Sequence, residues 1–252
     1  MSDQEALFDA AKEGRLEDVQ RLVRGKSVVV DFVRASKRGT DDTMASLRNG
    51  DGTIGATALR LAAYNGHLEV VRWLEREGGS SVDEMNRCGE TALLLAAKNG
   101  HLEVVCWLVR EGGSSVEKRS NFVFAPNTGK TALFLAAENG HLEVVRWLVE
   151  TGGMEADTGN GSYDETALHG AASSGHLEVV RWLLCEGGSS IEERDERGET
   201  ALLLAAANGH LEVVRWLVRE GGSSVEERDT NWNTALILAA WNVHLEVVRW
   251  LV

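Results

Sequence analysis

Residues 200–218 read TALLLAAANGHLEVVRWLV, and the fold turns on how that run divides. Thr200 carries a side-chain oxygen suited to capping a helix start. Ala201 to Ala207 are apolar on every side, a pattern that a short helix carries only when buried between neighbours. Asn208-Gly209 breaks this inner helix, and His210 to Val218 predict a second, amphipathic one. Leu211, Val214 and Leu217 are expected on its buried face, with Glu212 and Arg215 paired outward three residues apart. Such pairs contribute only about 0.2–0.5 kcal/mol each, so they read as surface solubility. Gly221-Gly222 stops the second helix.

The same run recurs along the chain. Thr-Ala-Leu begins at Thr57, Thr91, Thr131, Thr166, Thr200 and Thr234, at spacings of 34, 40, 35, 34 and 34 residues. His-Leu-Glu-Val-Val follows each time, from His67, His101, His141, His176, His210 and His244. Self-similarity of this period predicts stacked two-helix units, each burying its apolar face on the next. A diverged unit comes first, with Glu5-Ala6-Leu7, Ala10-Ala11 and Gly14 to Val19 in the same relative places, and reads as an N-terminal cap. The units span approximately 1–25, 52–85, 86–119, 126–160, 161–194, 195–228 and 229–252, with insertions within 25–52 and 120–126.

These residues resemble the ankyrin repeat family, whose pattern runs Gly-x-Thr-Pro-Leu-His-x-Ala-Ala, then Gly-His, Val-Val, Leu-Leu and Gly. The resemblance covers almost the whole chain and implies an all-α helical solenoid of paired antiparallel helices with short inter-repeat turns. It also implies a non-catalytic adaptor, targeting or scaffold module that holds a partner protein on its concave and turn surface. Two departures are systematic. Alanine replaces the family's proline in the six later units, which helix propensity tolerates. The family's histidine survives only as His169, while Arg60, Leu94, Phe134, Leu203 and Ile237 occupy the other equivalent places. Those five units lack the histidine of the family's Thr–His side-chain bond.

Charge narrows the partners. The chain has 26 basic and 39 acidic residues, a formal net charge of -13, and no basic block, so nucleic acid is not an expected partner. No stretch approaches the roughly 18 apolar residues of a membrane helix. Cys88, Cys106 and Cys185 are odd in number and widely spaced, which predicts a reducing, intracellular location in cytoplasm or nucleus.

Catalytic readings fail on spacing. One histidine per unit cannot share a metal, since packed helices lie about 8–10 Å apart and zinc holds its nitrogen ligands at about 2.0–2.1 Å. Asn127 to Thr131 look like the end of a phosphate-binding loop, but Phe124 stands where the upstream glycine is required. No catalytic residue, metal or cofactor is therefore expected. The tryptophans at 73, 107, 147, 182, 216 and 250 keep one register and read as packing between outer helices.

Function is sought where the units differ. The column after Ala-Ala holds Lys12, Tyr64, Lys98, Glu138, Ser173, Ala207 and Trp241, and the turns before the inner helices vary among Arg87, Tyr163, Arg197 and Trp232. The partner-binding candidates are Tyr64, Arg87, Lys98, Phe122, Phe124, Glu138, Tyr163, Trp232 and Trp241. Phe122 and Phe124 belong to the second insertion, where they either fold back over the array or bind a partner. The first insertion includes the apolar run Val28 to Val33, able to pack or form a strand. In the last unit Leu236, Ile237, Leu238, Trp241, Val243 and Trp250 remain apolar, which predicts end-to-end self-association or further chain. Two other classes of function stay open: a substrate-recruiting or regulatory arm of a larger enzyme, and a self-associating spacer.

Overall fold

The computed structural model describes residues 3–25, 58–86, 89–120, 129–160 and 163–252. They form fourteen α-helices, with no strand among the described residues. Cys88 and the insertion segments 26–52 and 121–126 lie outside them. The chain divides into two compact bodies, Met1–Thr128 and Gly129–Val252. In the first, inner helices Asp3–Lys12, Ala58–Tyr64 and Ala92–Lys98 pack in sequence, each followed by an outer helix, Leu16–Gly25, Leu68–Arg76 and Leu102–Arg110. In the second, inner helices Ala132–Glu138, Ala167–Ser173, Ala201–Ala207 and Ala235–Trp241 stack likewise, with outer helices Leu142–Glu150, Leu177–Cys185, Leu211–Trp216 and Leu245–Leu251.

Local chemistry explains each boundary. Thr91, Thr131, Thr200 and Thr234 have extended backbones and accept from the amide three residues on, at 3.4, 3.2, 3.4 and 3.5 Å. Where the histidine survives, His169 Nδ1 instead accepts from Thr166 N at 3.0 Å, and its Nε2 donates to the Glu193 carbonyl at 3.3 Å. In the next unit Leu203 replaces that histidine, yet the threonine keeps its glutamate: the Thr200 hydroxyl donates to Glu227 Oε2 at 2.6 Å as Thr166 donates to Glu193 Oε2 at 2.5 Å. At the far end of the inner helices, Asn99, Asn139 and Asn208 cap the carbonyls of Leu95, Leu135 and Leu204 at 2.8, 2.8 and 2.9 Å.

Ala201 to Ala206 are all buried, as their uniform apolarity predicts. The outer-helix face differs from the expected one. Val213, Val214, Trp216 and Leu217 are buried while Leu211 is only half-buried, because the outer helix packs on its own inner helix and on neighbouring outer helices at once. The helix closes with a π-turn over Leu217–Gly221 and a left-handed Gly222.

Successive units are tied on their outer sides by arginine–tryptophan stacks. Arg24 lies 5.7 Å from the Trp73 ring and Arg76 5.8 Å from Trp107 in the first body; Arg181 over Trp216 repeats the contact at 5.8 Å in the second. Trp73, Trp107, Trp182 and Trp216 are 4–8% exposed, so these repeated tryptophans are packing residues.

Candidate functional site

The variable residues at the inner-helix ends and turns differ in how far their own repeat has already engaged them. In the first body Tyr64 and Lys98 are half-buried, and Lys98 Nζ lies 3.7 Å from Glu90 Oε1. In the second body both carboxylate oxygens of Glu138 accept from Lys130 Nζ, at 2.7 and 2.9 Å. Arg87, Phe122 and Phe124 fall outside the described residues.

Three of the candidates stand open. Tyr163 is 49% exposed, Trp232 72% and Trp241 74%. Trp232 sits at φ +66 in a turn built by Asp229, whose Oδ1 accepts from the amides of Asn231 and Asn233 at 2.8 Å each. Gly89, Gly129 and Gly198 fill the equivalent place at φ +71, +84 and +72, so a tryptophan there is held in a backbone region that disfavours a side chain. The preceding turn uses the same device, Asp195 Oδ1 accepting from the amides of Arg197 and Glu199 at 2.9 and 2.7 Å. Adjacent tips are linked, Glu196 N to Tyr163 O at 2.8 Å and Thr230 N to Arg197 O at 2.9 Å.

Beneath these tips lies a charge cluster that the candidate residues had not included. The Arg197 guanidinium lies 4.5 Å from the Tyr163 ring centre and reaches Glu165, Asp195 and Glu199 at 3.5, 3.2 and 2.7 Å. One cation thus serves three carboxylates. Burial pushes the Glu199 pKa above the ordinary carboxylate range; Arg197 pulls it back, and Asp195, Asp229 and Glu165 push it up again. Burial opposes the charge on Arg197, but Glu199, Asp195 and Glu165 outweigh it and hold its pKa above the ordinary arginine value. Beside Glu199 opens a cleft of about 290 Å³ walled by Trp241, Asn231, Asn233 and Leu238.

Among the described residues no three or more His, Cys, Asp or Glu side chains are arranged to hold a metal ion, and no helix is long and apolar enough to cross a membrane. Cys106 and Cys185 are free thiols, and burial pushes the Cys106 pKa up. The cleft offers hydrogen-bonding groups, charge and an aromatic surface. The family model described as ankyrin repeats (3 copies) matches residues 7–120, 116–195 and 187–252. A search of curated proteins finds no match.

Proposed function

The chain belongs to the ankyrin repeat family, whose members are generally protein–protein interaction modules and typically non-catalytic, and from that premise we propose that it is an adaptor, targeting or scaffold module. Its partner protein docks on the inner-helix ends and turns, with Tyr163, Trp232 and Trp241 of the second body as anchors. One observation carries this reading. Of the six tryptophans that recur in the outer helices, Trp73, Trp107, Trp182 and Trp216 are buried at 4–8% exposure and Trp147 and Trp250 are half-buried, whereas Trp232 and Trp241, which occur once each, stand 72% and 74% exposed. Large aromatics left open beside a polar cleft are the residues that dominate binding when a partner desolvates them. The free thiols of Cys106 and Cys185 support an intracellular setting, in cytoplasm or nucleus.

The test is affinity capture on the full chain and on a Trp232→Ser, Trp241→Ser double variant. The captured proteins should be lost from the variant while its thermal melt is retained; an unchanged captured set would remove these tryptophans from the interface. Exposed Leu236, Ile237, Val243 and Leu245 support end-to-end association through the last repeat, for which light scattering should show a mass that rises with concentration.

A further inference from the structure

We propose that the cleft beside Glu199 receives a lysine or arginine side chain of the partner protein. This rests on the interaction-module reading and adds the chemistry of one contact. It begins from a charge pair that other repeats complete internally. The residue before the capping threonine and the residue ending the inner helix, eight positions on, lie side by side. Glu90 faces Lys98 at 3.7 Å and, with the signs exchanged, Lys130 faces Glu138 at 2.7 Å.

In the next two repeats the first position stays acidic, as Glu165 and Glu199, while the second is Ser173 and Ala207. No basic side chain rises from those inner-helix ends. Both acids turn to Arg197, which Asp195 also engages. Glu199 is 9% exposed, and its Oε2 accepts no hydrogen bond among the described residues despite lying 2.7 Å from Arg197. A buried carboxylate in that state gains from a further donor.

The cleft supplies what a basic side chain needs. Trp241 presents an open aromatic face that can cover a lysine stem or stack with a guanidinium. A volume of about 290 Å³ admits one long side chain. The ammonium or guanidinium meets Glu199 much as Lys98 meets Glu90, with its stem against Trp241. Arg197 also lines the cleft but is already shared among Glu165, Asp195 and Glu199, so an acidic side chain would face Glu199 and Asp229, and an apolar one would add no second donor to Glu199.

The experiment selects binders from a displayed random-peptide library on the full chain and measures their affinity by fluorescence anisotropy. Selected peptides should share a lysine or arginine whose replacement by norleucine weakens binding at least about tenfold. Glu199→Gln and Ala207→Lys in the protein should each do the same. Ala207→Lys places a lysine toward Glu199 as Lys98 stands toward Glu90, so it fills the cleft from within. That column already holds Tyr64, Lys98, Glu138 and Trp241, so a long side chain is tolerated there. The norleucine peptides probe the contact without altering the protein's fold. Peptides that bind equally well after all three changes overturn this inference and leave the interaction reading standing. A selection that enriches nothing counts against the interaction reading and, with it, this one.

Discussion

His210 Nε2 donates to the backbone carbonyl of Ser173 at 2.9 Å, joining the start of one outer helix to the end of the inner helix in the preceding repeat. A carbonyl can only accept, so the ring carries its proton on Nε2. The same bond runs from His67 to Lys12 O and His101 to Tyr64 O, both at 2.8 Å, in the first body. It recurs from His176 to Glu138 O at 3.1 Å and His244 to Ala207 O at 2.9 Å in the second. His210→Ala removes the donor and leaves the Ser173 carbonyl partly shielded from water, so urea unfolding should show a loss of about 1–2 kcal/mol. No loss would mean that water replaces the ring at no cost.

The histidine ring also dictates what precedes it. A Cβ on Gly175, at φ +80, would lie 2.4 Å from His210 Nδ1, whereas one on Gly188, at φ +86, would meet nothing within 4 Å. Both alanine variants pay about 1 kcal/mol for the left-handed backbone. Gly175→Ala should cost about 1–3 kcal/mol more, because the ring or the backbone must move. Equal melting temperatures for the two variants would show that the ring moves aside freely.

What was legible in the sequence was what every unit shares. The apolar run beginning at Ala201 and the fixed register of Trp216 imply burial, and Ala201 to Ala206 and Trp216 are buried. The histidines are periodic in the sequence, but their role is not legible there, because their partner is a backbone carbonyl that carries no residue identity. Glu199 and Arg197 form a cluster through a turn that places positions 165, 195 and 199 around one guanidinium, a proximity without helical period. A signal was present: Glu90 with Lys98 and Lys130 with Glu138 exchange sign eight residues apart, and Glu199 lacks that complement. The aromatic ring of Trp232 marks it as a candidate, and its place in the column of Gly89, Gly129 and Gly198 adds the strained backbone.

Glu199 makes the second body sensitive to acid in the direction opposite to most carboxylates. Because its folded pKa is raised, the folded state keeps this proton at a pH where the unfolded chain has released it. Its contribution to stability is therefore favourable below the ordinary value of 4.5 and is lost as pH rises through the raised folded value. Glu199→Gln should be more stable than the parent at neutral pH, the gain vanishing on titration below about pH 4. A variant less stable at neutral pH would show that the attraction to Arg197 outweighs the burial of the charge.

Val243 stands at φ +64 where Gly66, Gly100, Gly140, Gly175 and Gly209 stand at φ +78, +76, +77, +80 and +78. A β-branched residue in that region carries a strain of about 1–2 kcal/mol, and at 72% exposure it recovers little by burial. Val243→Gly should therefore raise stability by about 1 kcal/mol in urea unfolding, part of the strain relief being offset by the greater freedom of glycine in the unfolded chain. The position bears on stacking as well. A Cβ on Gly209 would lie 2.4 Å from His244 Nδ1, so a repeat seated in register needs that place empty for its histidine ring. Val243 fills it, and the apolar face of Leu236, Ile237 and Leu245 is thereby closed to a histidine-bearing repeat in register. A copy of residues 185–218 fused in register after Val252 should join the cooperative unfolding unit only in the Val243→Gly background. Equal cooperativity in both backgrounds would show that the valine yields to the ring.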